Sequence, residues 1–214
     1  MTPRLEVHAD AADAARRVAG LIAERMRSGV SSTLALSRSG ELLARLGEEA
    51  VAWPRVSVYQ VDERVAPAGD LNRNLQQLLA ALPAVVVHAM PVEEPDLAAA
   101  AARYADELPE AFDLVHLGLG ADGHTASLVP GDPVLDVRDR LVAVTAEYQG
   151  HRRLTLTYPA LEAAREIVWL VTGEAKREAL ARLLARDTSI PAARISNPRQ
   201  LIVSDAAASP SYNL

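Results

Sequence analysis

Short apolar runs alternate along the chain with stretches whose apolar residues recur at helical spacing. This is the pattern of βαβ units feeding a largely parallel sheet. Residues 11–27 read as an opening helix, with Asp10 placed to cap it. Residues 32–36 form a short strand, 41–50 a helix and 56–61 a second strand. A helix over 72–81 is stopped by Pro83, and 85–88 is strand. Residues 95–108 form an Ala-rich helix with Asp and Glu in its first turn. The run 114–119 is apolar throughout except for His116, as expected of a strand buried on both faces. Beyond a loop punctuated by Pro and Asp, 141–144 and 153–156 alternate as strands, and a short helix starts at Leu161. Residues 167–171 are another buried strand, 175–186 a helix, and 201–203 the strand that closes the sheet. The tail from Ala206 is small and polar enough to fray.

No Gly/Ser linker or internal repeat divides the 214 residues, so one α/β domain over 1–214 is expected, with a small lobe from its second half. Half the residues are hydrophobic, yet 40 alanines stand against one Phe, two Trp and five Tyr. The core is therefore Leu, Val and Ile strands under Ala-rich helices. The absence of Cys removes disulfides, thiol nucleophiles and Cys-ligated zinc. A net charge of −6 without a basic stripe argues against a nucleic-acid partner. No apolar run reaches the roughly 18–20 residues of a membrane span. Glu6, Asp10, Asp13 and paired arginines occupy the place where a signal peptide would be apolar, which points to the cytoplasm. Of 22 basic residues all but Lys176 are arginine, which raises the question of why arginine would not serve there.

In open parallel sheets ligands sit beyond the carboxyl ends of the strands. The loops at 37–40, 62–70 and 118–131 and the turn at Gly173 are the places to look for chemistry. Gly118-Leu-Gly-Ala-Asp-Gly123 matches G-x-G-x-x-G literally and follows a strand. A dinucleotide site would need a long helix next and the first βα turn of the chain. Here the motif lies past mid-chain, a Pro-rich stretch follows, and Asp122 would repel the pyrophosphate. Its glycines, Gly120 and Gly123 among them, instead allow a sharp turn and close approach of backbone to a ligand. What remains is Asp122-Gly123-His124 at a strand end, with His124 suited to base chemistry near neutral pH. His116, inside the strand, reads as a core histidine. No metal-ligand spacing unites it with His124 and Asp122, so neither metal nor cofactor is expected. There is no G-x-S-x-G elbow, which leaves a histidine-activated water as the natural nucleophile of a hydrolase.

Asp62 and Arg64 follow the second strand and stand on the same edge. They are either a solvated charge cluster or, for Arg64, a fork for phosphate. Lys176 sits in the first turn of its helix, where a cation is mildly unfavourable unless an anion joins it.

Taken together, Asp62-Glu63-Arg64, Phe112-Asp-Leu-Val-His-Leu-Gly-Leu-Gly-Ala-Asp-Gly-His-Thr-Ala-Ser127 with Pro130-Gly131, Arg153-Leu-Thr-Leu-Thr157 and Gly173-Glu-Ala-Lys176 resemble the 6-phosphogluconolactonase family. The resemblance implies a modified Rossmann-like α/β fold, with a largely parallel sheet flanked by helices, shared with glucosamine-6-phosphate deaminases. It also implies metal-free hydrolysis of a small sugar-phosphate lactone, 6-phospho-D-glucono-1,5-lactone, to 6-phosphogluconate. On these positions His124 would be the base for water and Asp62 would position ligand or base. Arg64 and Lys176 would hold the phosphate. Ser37, Gly40, Asn74, Gly120, Asp122, Gly123 and Arg153 would complete the substrate site, and a monomer is expected. The family's Ser-Gly-Gly-Ser-like loop is altered here to Ser37-Arg38-Ser39-Gly40. Either Arg38 replaces amide contacts or the phosphate site is weakened. Two other functions stand beside the lactonase: an amino-sugar-phosphate isomerase or deaminase, and a catalytically silent sugar-phosphate-binding module.

Overall fold

The computed structural model describes residues 3–27, 32–82 and 85–210. Strand β1 (Arg4–His8) precedes the expected opening helix. Only Leu5 and Val7 are apolar in it, so no apolar run marks it in the sequence. Helix α1 (Ala11–Arg27) follows, and the Asp10 carboxylate accepts from the Asp13 N–H at 2.8 Å, capping it as expected. Then come β2 (Ser32–Leu36), α2 (Gly40–Glu48), β3 (Val56–Gln60), β4 (Asp62–Arg64), α3 (Asn74–Ala81) and β5 (Val86–His88). Helix α4 (Leu97–Asp106), β6 (Leu114–Gly118), β7 (Val142–Val144), β8 (Arg153–Leu156) and α5 (Tyr158–Glu162) lead to β9 (Ile167–Val171), α6 (Arg177–Leu184) and β10 (Gln200–Asp205).

Seven strands make one sheet in the order β1-β10-β9-β6-β2-β3-β5, every neighbouring pair parallel. Its two faces bury different cores, as the two-residue period of a strand requires. Leu34, Val58, Leu114 and Val168 join the packing of α1, α2 and α3. Ala35, Tyr59, Val115 and Trp169 join that of α4, α5 and α6. The chain steps outward from β2 through β3 to β5, then returns to place β6 on the other side of β2. A crevice opens at such a reversal, at the carboxyl ends of the strands. Ser37 lies there, its N–H donating to the His116 carbonyl at 3.2 Å.

A second, antiparallel sheet has the order β4-β8-β7, with Asp62 opposite Thr155 and Arg64 opposite Arg153. The expected small lobe thus draws a strand from the first half of the chain as well as two from the second. The closing strand differs too, since β10 is an inner strand and β1 is the edge. Helix α5 starts at Tyr158, not Leu161, because Pro159 is already set for a first helical turn. Before α4 the acidic residues lie outside the helix, and Asp96 caps it by accepting from the Ala98 and Ala99 N–H groups. Beyond β10 the segment 206–210 is tied down rather than frayed: Ala208 is buried, and its N–H donates to Asp205 at 2.8 Å. Pro83 and residues 211–214 lie outside the described residues.

Candidate active site

Strand β6 delivers the glycine-rich turn to the carboxyl edge of the sheet. Gly120 N–H donates to the His124 carbonyl at 2.8 Å and Gly123 N–H to the Gly120 carbonyl at 3.0 Å, closing a tight loop. No long helix follows this turn, which continues as extended and turn structure to residue 132. Within the loop the His124 ring meets the Asp122 carboxylate, Nδ1 to Oδ1, at 2.6 Å, and the His124 backbone N–H donates to the same oxygen at 3.1 Å. Burial pushes the Asp122 carboxyl up, but hydrogen bonds from His124 and from the Tyr148 hydroxyl outweigh it, so Asp122 titrates below the usual carboxylate range. A Cβ on Gly120 would lie 2.1 Å from His124 Nδ1 and 2.6 Å from Asp122 Oδ1. The missing side chain is what makes room for the pair.

His124 lines a pocket of about 200 Å³ with Ser37, Arg38, Asp62, Arg64, Asn74, Gly120, Arg153 and Lys176. Four cations surround one buried carboxylate there. Asp62 accepts from Ser127 Oγ at 2.6 Å and from Asn74 Nδ2 at 3.1 Å. Burial raises its pKa against the opposing pull of Ser127 and Arg153. Arg153 is 4% exposed; burial lowers its pKa, and Arg64 and Arg38 press it further down while Asp62 opposes them. Two buried polar atoms of pocket residues, Asn74 Oδ1 and Arg153 Nε, have no hydrogen-bond partner. Such atoms are costly unless something binds them. Arg64 donates to the Asn72 carbonyl at 3.0 Å, and Arg38 contacts Gln77 when that amide turns its oxygen toward the guanidinium, at 3.1 Å.

The middle residue of the Asp-Glu-Arg triplet does something the sequence does not announce. Glu63 is fully buried and accepts from the Asn74 and Leu75 N–H groups at 2.8 and 2.9 Å, capping α3 from the strand before it. It also takes Gln60 Nε2 at 2.8 Å and lies 3.5 Å from Arg73 Nε. This explains why α3 begins at Asn74 rather than Asn72, and it aims Asn74 at the pocket.

The other expected residues divide. Lys176 reaches the pocket from a 3₁₀ turn ahead of α6, not from the helix itself. Gly173, at φ 91°, supports that turn with its N–H on the Asp205 carboxylate at 3.0 Å. Gly40 is not among the pocket residues; it opens α2 and lines a separate groove between α2 and α3. Gly123 packs against Ile190, where a Cβ would approach to 2.5 Å, and Asp122 acts on His124 from outside the pocket lining. His116 is fully buried on the face shared with Leu114. Burial drives its pKa down to about 4, so it is a neutral core group near pH 7. Among the described residues no three His, Asp or Glu side chains are grouped as metal ligands. Ser127, Glu63 and Tyr148 take part in the site without having been singled out by sequence. Only the hairpin signal Gln149-Gly150 beside Tyr148 could have flagged the last of these.

Fold and site together define an α/β protein that presents a histidine–carboxylate pair and a cluster of cations at the switch point of a parallel sheet. The family model described as glucosamine-6-phosphate isomerases/6-phosphogluconolactonase matches residues 7–203, and the chain belongs to this family. It is 36% identical to a 6-phosphogluconolactonase of Streptomyces coelicolor over 90% of this chain and 87% of that one. To the 6-phosphogluconolactonase of Synechocystis it is also 36% identical, over 79% of this chain and 76% of the relative. The crystal structure of a 6-phosphogluconolactonase from Shewanella baltica superposes with a TM-score of 0.85 over 95% of this chain and 98% of that one. At 22% identity, that likeness shows the shared fold.

Proposed function

We propose that the chain hydrolyses 6-phospho-D-glucono-1,5-lactone to 6-phosphogluconate in the oxidative pentose phosphate pathway, acting as a cytoplasmic monomer. The observation that carries the reading is the His124–Asp122 pair beside a pocket of four cations, in a chain whose curated relatives are named 6-phosphogluconolactonase. With Nδ1–H donated to Asp122, the His124 lone pair is on Nε2. Nε2 takes a proton from water as the water oxygen attacks the lactone carbonyl carbon. The tetrahedral intermediate then expels the ring oxygen, and the imidazolium returns the proton to it. A hydroxyl and a carboxylic acid result, and His124 is restored. Arg38, Arg64 and Lys176 hold the phosphate, while Arg153 and Asn74 address the sugar oxygens. Asp62 positions Asn74 and Ser127 and balances Arg153. Ser37 and Gly120 form the floor.

In this scheme the residues supply the whole reaction. Hydrolysis of the phosphorylated lactone, corrected for spontaneous opening, is expected to persist in EDTA. Loss on chelation with recovery on adding a divalent ion would overturn the scheme. Tight binding of 6-phosphogluconate without turnover would make the chain a binding module instead. For Lys176→Ala the expected result is a rise in KM of about 10- to 100-fold for the phosphorylated lactone, the scale of a lost charged hydrogen bond. Unphosphorylated gluconolactone should be hydrolysed as before. Unchanged discrimination between the two lactones would remove Lys176 from the phosphate site.

A further inference from the structure

Nothing in the scheme above uses Tyr148, yet its surroundings are built. The residue ends a tight turn in which Tyr148 N–H donates to the His151 carbonyl at 3.0 Å, and the His151 N–H returns to the Tyr148 carbonyl at 3.3 Å. Both central residues have positive φ, Gln149 at 51° and Gly150 at 80°. For glutamine this left-handed conformation is strained, and such strain persists where surrounding structure demands it. Here the turn lets Gln149 Nε2 donate to Tyr148 Oη at 3.3 Å. With one lone pair occupied, the hydroxyl hydrogen is directed to Asp122 Oδ2, 3.2 Å away. The tyrosine ring stands edge-on to the His124 ring, centroids 5.7 Å apart, and the Arg153 guanidinium covers it at 5.1 Å.

We propose that Tyr148 is a positioning residue for the histidine–aspartate pair: a directed chain runs from Gln149 through the Tyr148 hydroxyl to Asp122 and on to His124. Its function is to hold the Asp122 carboxylate turned toward Nδ1, and so to keep the ring's other nitrogen available as a base. Asp122 needs a second anchor because it is exposed, on a loop, and held otherwise only by the group it is meant to orient. The charged and titratable groups around this chain are Asp62 across the pocket from His124, Arg153 above the tyrosine ring, and Lys176, Arg64 and Arg38 along the pocket wall. None of these donates to Asp122 Oδ2, so the tyrosine hydroxyl has no substitute among the hydrogen bonds of the described residues. The inference rests on the base role of His124.

Tyr148→Phe in the full chain tests it, since the ring packing stays and only the hydroxyl goes. One hydrogen bond that lowers Asp122 is then absent, so its carboxyl should protonate at a higher pH than in the parent protein. A carboxylate that accepts one hydrogen bond fewer also holds the imidazolium proton beside it more tightly, so the acid limb of the rate profile should move up in pH in the same direction. At the optimum kcat should fall about three- to tenfold, the scale of one hydrogen bond, with KM for the lactone unchanged. The Asp122 carboxyl resonance, followed by NMR against pH, reads the shift without any substrate. It therefore stands even if the lactone reading fails, whereas absence of turnover by the parent protein would sink that reading alone. Gln149→Gly, which relaxes the turn and removes the amide donor, should move both readouts the same way by less. An Asp122 titration and rate profile in Tyr148→Phe that superpose on the parent's would overturn the proposal. So would a normal Tyr148→Phe beside an impaired Tyr148→Leu, which would leave the ring a packing role only.

Discussion

Replacing His124 with alanine is expected to lower kcat by about 10²- to 10⁴-fold, the contribution of a positioned general base. Binding of 6-phosphogluconate should be largely kept. The separation follows from the geometry. His124 faces the pocket from the β6 loop, whereas the cations proposed to hold the anion come from the β2 loop, β4, β8 and the turn before α6. The side chain is partly exposed, and among the described residues its hydrogen bond is to Asp122, so its removal leaves no buried group unpaired. Turnover corrected for spontaneous lactone opening, with product affinity by calorimetry on the same sample, checks both halves. A kcat within tenfold of the parent would mean that water is activated elsewhere.

Gly120→Ala should be nearly as damaging, although it adds one methyl group and touches no catalytic atom by substitution. The new Cβ would stand 2.1 Å from His124 Nδ1 and 2.6 Å from Asp122 Oδ1, distances no pair of unbonded atoms tolerates. Gly120 is not among the positive-φ glycines, so alanine fits the backbone and only the space is denied. The ring must swing away from Asp122, and a displacement of about 1 Å at a reacting group can cost on the order of 100-fold. A fall in kcat of that order, with an unchanged melting temperature, is the expected outcome. Gly118→Ala is the control. Its Cβ would meet only Ser37 Oγ, at 4.0 Å, so it should be mild. Equal damage at both positions, or a Gly120 variant of full activity, would refute the steric account.

Much of the fold is legible in the chain because parallel strands buried on both faces must be runs of Val, Leu and Ile. Strand β9 is such a run apart from Trp169, and β6 is one but for His116 and Gly118, and the helices between strands show their own period. The misses share a different cause. Strand β1 is half-exposed with two apolar residues, and β4 is three charged residues, Asp62-Glu63-Arg64, made a strand only by pairing with β8 some ninety positions later. Helix α3 starts where Glu63 caps it, a bond across an eleven-residue gap that no local capping pattern marks. Asp122, His124 and the cations were recognisable because they stand in motifs that resemble a known family, several of them beyond the carboxyl ends of parallel strands, where ligands sit. Gly40 was placed with them by motif, but the helix it opens carries it to the neighbouring groove.

By itself the sequence determined the parallel α/β class, the loop that holds His124 and Asp122, the lone lysine and the absence of thiol chemistry. Those are local properties: periodicity, turn residues and the chemistry a side chain carries wherever it lies. Only the tertiary structure decided which of them share a pocket, because that depends on strand order and register. It set β2 beside β6 and Asp62 beside Ser127, and it left four cations around one carboxylate. It also turned Gly120 from a flexible residue into a required vacancy, and Tyr148 from an unremarked aromatic into the anchor proposed for Asp122. For Gly120 the deciding partners lie two and four residues on and only the loop's conformation brings them close; for the others, distances of a few ångströms between residues far apart in sequence made the assignment.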